Sequence, residues 1–237
     1  LAKLDIRGLM QGASQVYEGI GHSNSELESS AVAQAVVEYA ASRKAAWDIG
    51  KRIEVLAYPN PKWGAFVEWW KQLFAESEGK DGRGLFPVGM LYPTDLHSLG
   101  QYLQEGCPQI IETFLFPKGP GMGDVLETRV RIPRFDFAVP ERLKLVEHCT
   151  MRDVCLGAME AAYQAHSHEG DVPCLKLFHD PSSAASIGGL FAFFQTACAV
   201  SAKLLDVHPF NQPGVEAYKK KLVDLFRIDE SPRVSSS

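Results

Sequence analysis

The sequence lacks the patterns that assign a protein to several common functional classes. Its 237 residues contain no uninterrupted apolar run of about 18 residues, the length that a membrane-spanning helix needs. The longest such run, Ile187–Phe194, ends at Gln195. The net charge is −5, and no basic stripe is present to neutralise nucleic-acid phosphates. We therefore expect no membrane span and no nucleic-acid partner.

Signatures of disulfide, zinc, phosphate-loop and serine-nucleophile chemistry are also missing. The five cysteines are scattered and include no C-x-x-C pair, which favours reduced, buried thiols in a cytoplasmic protein. The pair His166 and His168 has a metal-like composition, but we predict no metal site there. Neither Gly-x-x-x-x-Gly-Lys-Ser/Thr nor Gly-x-Ser-x-Gly occurs in the chain.

What the chain does contain is an alternation of helical and strand patterns. Apolar residues recur every three or four positions in the helical segments, whereas the strand segments are short, β-rich and mostly apolar. The predicted strands are Arg52–Tyr58, Ile110–Phe116, Cys174–Phe178 and an edge strand at Val125–Pro133, and a short apolar segment lies at Leu85–Tyr92. The predicted helices are Asp5–Ile20, one opened by Ser23–Ser25 and ending near Arg43, Trp63–Phe74, one from Thr94 to Gly106, Val146–His166 and Ile187–Leu205.

This alternation predicts an α/β fold, a sandwich of helices around a mainly parallel sheet. We expect one domain over residues 1–228 and a disordered tail over residues 229–237. Ligands of parallel sheets bind at the carboxyl ends of strands, and we expect the polar loop Glu76–Gly84 to lie there. That loop holds three carboxylates and three glycines, although its composition alone is also typical of a solvated surface loop.

The stretch His208–Lys219, which reads HPFNQPGVEAYK, leads into a helix that opens at Pro213. Asn211 or Gln212 is its predicted cap. Helical spacing places Lys219 within an apolar stripe, unlike its two lysine neighbours. A packed stem whose ammonium reaches water is the ordinary interpretation of such a lysine. The stripe consists of Val215, Tyr218, Leu222, Leu225 and Phe226.

Two further segments carry groups that could act in a site. Thr94 is the predicted cap of a helix in which His97 is the third residue, beside Gln101 and off the apolar stripe. A lone histidine at such a position is usually a capping or surface residue. The serine-rich turn Asp180–Ser186 precedes a helix, where it could cradle a phosphate or serve only as an N-cap.

Several of these stretches together resemble the phosphoglucose isomerase (glucose-6-phosphate isomerase) family. Residues Ala202–Lys219 match its C-terminal signature, in which Phe-Asp/Asn-Gln, Gly-Val-Glu and a closing lysine follow at fixed spacing. Residues 68–82 resemble the bacterial form, with Ala75 where the family usually has glycine. The segment around His97 also resembles the family, and the likeness runs from about Leu4 to about Phe226.

The resemblance implies a sugar isomerase (SIS) type domain and a role for each candidate residue. Glu76 is then the catalytic base that moves a proton between C2 and C1 of the sugar. His97, with help from Lys219, opens the sugar ring, and Gln212 orients the substrate. No metal or organic cofactor is implied. In the family the histidine comes from the partner subunit, which implies a homodimer.

The implied reaction interconverts glucose 6-phosphate and fructose 6-phosphate through a cis-enediolate. Enzymes of this family are roughly twice as long, and the segments that hold the phosphate and a Gly-Gly-Arg segment lie upstream of anything present here. We therefore expect this chain to be the C-terminal part of such an enzyme and to be inactive alone. Two other interpretations stay open: a non-catalytic sugar-phosphate-binding module and a dimerisation half without a ligand of its own.

Overall fold

The computed structural model describes residues 4–21, 30–119, 127–132 and 140–228. Four strands form a parallel sheet in the order β2-β1-β3-β4. The strands are β1 (Ile53–Tyr58), β2 (Phe86–Leu91), β3 (Ile110–Pro117) and β4 (Cys174–His179). The helices are α1 (Ile6–Gly21), α2 (Ala31–Asp48), α3 (Gly64–Glu78), α4 (Leu96–Glu105), α5 (Glu141–Lys144), α6 (Met151–His168), α7 (Ala184–Leu204) and α8 (Glu216–Ile228).

Helices cover both faces of the two central strands. Leu56 and Leu115 pack with apolar side chains of α2, α3 and α7 on one face. Val55 and Phe114 pack with α4 and α6 on the other. Burial on both faces is what a mostly apolar parallel strand requires. The predicted α/β sandwich around a parallel sheet is confirmed.

α7 is the central helix of the larger core. By length and composition it could cross a membrane, with a mean hydropathy of 1.4, although Gln195 and Thr196 interrupt its apolar runs. Our count of uninterrupted residues therefore overlooked it. Such a composition is equally typical of a helix buried on most sides, and α7 packs against α1, α2 and α3. Gly188 permits the close contact with α1, because a Cβ there would meet the backbone of Leu9 at 1.9 Å.

The predicted end of the helix Trp63–Phe74 is wrong in a way that matters for the site. α3 continues to Glu78, because no helix breaker occurs before Gly79, which ends it. Glu76 therefore lies in the last turn of a helix and not in a loop. The short apolar segment at Leu85–Tyr92 forms strand β2.

The helix that carries His97 also begins later than predicted. Asp95, and not Thr94, is the N-cap of α4, so His97 is its second residue. The chain first turns through residues 92–94. The N–H of Asp95 donates to the carbonyl of Leu91 at 2.8 Å, and the Asp95 carboxylate accepts from the N–H of Leu91 at 2.6 Å.

Two predictions in the middle of the chain are also wrong within the described residues. Residues 127–132 form no strand, only an isolated antiparallel bridge between Arg129 and Thr150, and the rest of the predicted strand Val125–Pro133 lies outside the described residues. α6 begins at Met151 and not at Val146, because Thr150 and Asp153 form a capping box.

Helix α2 begins after Ser30, whose side chain caps it, and continues past Arg43 to Asp48. No glycine or proline interrupts it before Gly50. The predicted opening at Ser23–Ser25 and the predicted tail 229–237 lie outside the described residues.

All five cysteines are free, but only Cys155 and Cys198 are buried, so burial was predicted correctly for two of them.

His179, the last residue of β4, makes folding stability depend on pH. Its side chain is buried, and its ring lies 4.3 Å from that of Trp63. Burial lowers the pKa of His179 to about 4, against a smaller opposing effect of Asp180. In the unfolded chain the pKa is about 6.5. Because folding keeps His179 neutral, its contribution to the free energy of unfolding is fully present above the unfolded pKa. That contribution is lost as the pH falls toward 4.

We therefore predict that lowering the pH from 7 to 5 costs the native chain about 2 kcal/mol more than it costs a His179→Phe variant. The variant keeps an aromatic ring against Trp63 but cannot titrate. Urea unfolding at the two pH values measures the difference. Equal losses in the two proteins would show that His179 is not the group responsible.

Candidate functional site

The direction of α3 determines the edge of the sheet at which Glu76 lies. α3 begins beyond the carboxyl end of β1, and the loop that follows it enters β2 at Phe86. Because β1 and β2 are parallel, the helix between them runs back toward their amino ends. Glu76 therefore lies at the amino edge of the sheet. Our prediction of the carboxyl edge is wrong, because that rule concerns loops that follow strands, and this loop precedes one.

The carboxylate of Glu76 is held by two side-chain amides. Gln212 donates to Oε2 from its Nε2 at 2.6 Å, and Gln72, one helical turn earlier, donates to Oε1 at 3.1 Å. Gln212 stands at the N-cap position of the 3₁₀ turn Pro213–Val215, but its side chain makes no capping bond. The predicted capping role is thus replaced by a contact with Glu76, 136 residues away in sequence.

Glu76 borders two cavities. One, of about 250 Å³, lies between the end of α3 and residues 212–215 and is also lined by Lys80. The other is a groove of about 820 Å³ between α3 and the start of β2, lined also by Trp69 and Phe86. A half-buried carboxylate between two such spaces is accessible to a small polar ligand, and its acceptor oxygens can take up a proton.

Two basic residues hold the segment of Gln212 beside α3. Lys80 donates from Nζ to the carbonyl of His208 at 2.5 Å. Arg83 donates to the carbonyl of Leu205 at 2.6 Å and pairs with Asp206 at 3.1 Å. All three contacts end on the segment that leads from α7 to Gln212. The loop after α3 therefore positions Gln212 opposite Glu76.

The Asp-Gly pair of that loop has a defined structural role. The N–H of Arg83 donates to the carbonyl of Lys80 at 2.8 Å and closes a tight turn. Its two central residues, Asp81 and Gly82, have φ values of 52° and 70°. Positive φ at both positions defines a type I′ turn, for which Asp-Gly is a preferred sequence. This turn directs Lys80 and Arg83 toward the segment 205–208.

His97 lies at the other edge of the sheet from Glu76. It is exposed and belongs to the first turn of α4, which follows the carboxyl end of β2. β2 has six residues and spans roughly 17 Å. It separates the loop beside Glu76 from the helix that carries His97. A single copy of the chain therefore does not bring these two side chains together.

Lys219 lies on α8 and is exposed. Its Nζ pairs with Glu216 at 3.1 Å, one turn earlier on the same helix. The helix that carries the predicted apolar stripe is present. Packing of the Lys219 stem is not observed, because the helical members of the stripe are exposed and only Val215, which precedes α8, is half-buried. The exposed members are Tyr218, Leu222, Leu225 and Phe226.

The weaker sequence candidates have structural roles. His166 is buried, and its Nδ1 lies 2.5 Å from a carboxylate oxygen of Glu112, so it does not face the exposed His168 as a ligand partner. Ser183 caps α7 by accepting a hydrogen bond from the N–H of Ser186 at 3.2 Å. Among the described residues, no group of three or more His, Cys, Asp or Glu side chains is arranged to hold a metal ion.

Sequence reasoning missed Gln72, Lys80 and Arg83. Gln72 precedes Glu76 by four residues, and helical spacing brings such residues together, so an extended α3 would have revealed the contact. Lys80 and Arg83 flank the Asp-Gly turn, but their partners, two backbone carbonyls and the Asp206 carboxylate, lie more than 120 residues away. No local pattern marks such partners.

Curated relatives that match the chain are named glucose-6-phosphate isomerase. The chain is 41% identical over 212 residues to the one from Mycoplasmopsis synoviae, which covers 89% of this chain and 48% of that relative. It is 40% identical over 224 residues to the one from Symbiobacterium thermophilum, covering 94% and 47%. The chain thus spans about half the length of the curated relatives it matches. No family model matches it.

Two solved structures share the fold. A hypothetical protein from Thermus thermophilus has a TM-score of 0.75 at 23% identity, over 94% of this chain and 51% of that one. A glucose-6-phosphate isomerase from Chlamydia trachomatis has a TM-score of 0.64 at 16% identity, over 95% and 43%.

By its fold, the chain is an α/β domain that matches about half of each of these two longer chains. By its sequence, it is a homologue of about half of a glucose-6-phosphate isomerase. The family resemblance that its motifs predicted is confirmed, and the coverage is consistent with the predicted C-terminal part.

Proposed function

We propose that this chain is the SIS-type, C-terminal domain of a cytoplasmic isomerase that interconverts glucose 6-phosphate and fructose 6-phosphate. The observation that carries the proposal is the 2.6 Å contact between Glu76 and Gln212. The two residues come from two separate motifs that resemble the family, and they meet beside a cavity large enough for a small ligand. The names of the curated relatives support the same reaction class.

The chemistry assigned to these residues balances without an external reagent. His97, with Lys219, opens the pyranose ring by moving a proton between O5 and O1. Glu76 then takes the proton from C2 of the aldose, which gives a cis-enediolate, and returns it to C1 while the proton of the C2 hydroxyl passes from O2 to O1, which forms the ketose. Gln212 orients the substrate, and its amide also fixes the direction of the Glu76 carboxylate. The reverse reaction uses the same groups in the opposite order.

The working enzyme is a homodimer whose site is shared between subunits. The support for this is the location of Glu76 and His97 at opposite edges of one sheet. A base and a ring-opening histidine that act on one six-carbon sugar must lie within a few ångströms of it. His97 of a second copy, related by two-fold symmetry, meets this requirement where its own chain cannot.

The test is an isomerisation assay on the full-length protein, with exchange of the C2 proton followed in D₂O by NMR. The proposal predicts both product formation and deuterium incorporation. A binding module without catalysis gives saturable sugar-phosphate binding and no exchange. A dimerisation half without a ligand gives neither. Either of the last two results overturns the proposed reaction.

A separate prediction concerns this chain alone. Residues 1–237 fold into the sheet and helices described but show at most about 10⁻³ of the full-length kcat/KM, because the groups that bind the substrate phosphate are expected in the missing half. A coupled assay at high enzyme concentration measures this, with circular dichroism as the folding control. Turnover near that of the full-length enzyme contradicts the prediction.

A further inference from the structure

A buried guanidinium lies beneath the helix end that carries Glu76. Arg43, on α2, has a fully buried side chain. Its Nη2 lies 2.6 Å from Oε2 of Glu78, the last residue of α3, whose side chain is also fully buried. Its Cζ lies 4.0 Å from the ring centre of Phe74. The contacts of Glu76 with Gln72 and Gln212 do not require a buried charge beneath the end of α3.

The two contacts of Arg43 on α3 flank Glu76 symmetrically. Phe74 and Glu78 are four residues apart, so they lie one above the other on the same face of the helix. Glu76 is two residues from each, about 200° around the axis, and projects from the opposite, half-buried face. A clamp on positions 74 and 78 therefore fixes the rotation of the last turn and with it the direction of the Glu76 side chain.

Arg43 is itself held by elements that do not belong to α3. It forms an ion pair with Glu54 on the central strand β1, and Glu54 also accepts hydrogen bonds from Tyr39 at 2.6 Å and Thr113 at 2.8 Å. The Arg43 Nε donates to Ser201 on α7 at 3.3 Å. The guanidinium thus connects the end of α3 to the sheet and to the helix that leads toward Gln212.

The electrostatics keep this connection charged. Burial, the largest single effect, would lower the pKa of Arg43, but the charge and hydrogen bond of Glu78 together with Tyr39 and Cys198 outweigh it, and the pKa is raised. A charged, planar donor group with several fixed partners holds a more defined geometry than apolar packing does. An apolar residue of similar length at position 43 would fill the space but would form no directional bond with Glu78 at the end of α3.

We propose that Arg43 is a positioning residue for the isomerisation, acting on Glu76 through Phe74 and Glu78. The inference rests on the proposed function, in which Glu76 is the base. Proton transfer is sensitive to small displacements of the base, and a shift of about 1 Å can cost a factor of about 10². Substrate binding depends on other groups, so the loss should fall on kcat and leave KM nearly unchanged.

The test is a double-mutant cycle in the full-length enzyme. Arg43→Met is expected to lower kcat by about 10- to 100-fold with KM changed less than about threefold. In a Glu76→Gln background the same substitution should change the residual kcat by less than about twofold, because the base it positions is gone. Lys44→Met is the matched control, since Lys44 is the next residue on α2 and pairs with the exposed Asp48.

Arg43→Lys is the second variant in case Arg43→Met does not fold. It keeps the charge but loses the planar fork, so an intermediate kcat is expected. Amide exchange at residues 74–80 should be faster in both variants and unchanged in Lys44→Met. An unchanged kcat in either folded variant, or an equal loss with and without the Glu76→Gln substitution, overturns the positioning role. Full activity of Glu76→Gln alone would instead overturn the proposed function.

Discussion

Replacing Glu76 by Gln in the full-length enzyme is expected to lower kcat by about 10²- to 10⁴-fold, the usual contribution of a positioned general base. The substitution removes the proton-accepting oxygen but keeps the size of the side chain. Gln72 and Gln212 remain as neighbours of the new amide, so the loss should appear in kcat and not through unfolding. Steady-state kinetics in both directions and the rate of C2 proton exchange measure it.

The matched control is Glu105→Gln. Like Glu76, Glu105 lies in the last turn of a helix and accepts a hydrogen bond from a glutamine four residues earlier, Gln101, at 2.7 Å. It borders neither cavity beside Glu76. Its replacement should leave kcat and KM unchanged. If Glu76→Gln retained near-wild-type turnover, or if both variants lost activity equally, Glu76 would not be the base.

The sheet could be predicted from the sequence because its signals are local. β1 and β3 are short apolar runs bounded by polar or turn residues, and α3 has aromatic residues at helical spacing. The edge on which Glu76 lies is not a local property. It follows from the parallel pairing of β1 with β2, because the helix that connects them runs back toward their amino ends. An error of four residues in one helix end placed the candidate base in a loop, and a rule for loops that follow strands, applied to a loop that precedes one, placed that loop at the wrong edge.

The site itself was predictable only as a set of separate residues. Motif resemblance selected Glu76, Gln212, His97 and Lys219, and the structure brings two of them, Glu76 and Gln212, into contact. Periodicity cannot predict that contact. Lys80 helps to hold the segment of Gln212 beside α3, and its partners are backbone carbonyls, which no sequence pattern marks. Lys219 pairs with Glu216 on its own helix and His97 lies at the other edge of the sheet, so one copy of the chain does not show the role proposed for either residue.

The proposed sharing of the site between subunits predicts that two inactive variants restore activity when they are mixed. Full-length Glu76→Gln and His97→Ala homodimers should each be nearly inactive. In a heterodimer, one of the two sites combines the native Glu76 of one subunit with the native His97 of the other. Random assembly makes half of the dimers mixed, and each has one intact site of two, so about a quarter of wild-type activity should return. Co-expression with two affinity tags, followed by a coupled assay, measures the recovery.

The same experiment separates a shared site from one formed within each chain. If Glu76 and His97 of one chain acted together, every site in the mixed dimer would carry one substitution, and no activity would return. The control pairs Glu76→Gln with Gln212→Ala, two residues that one chain already brings within 2.6 Å. In that pair the unsubstituted Glu76 always faces a substituted Gln212, so no recovery is expected. Recovery in the control, or its absence for Glu76 with His97, would contradict the arrangement in which each subunit completes the site of the other.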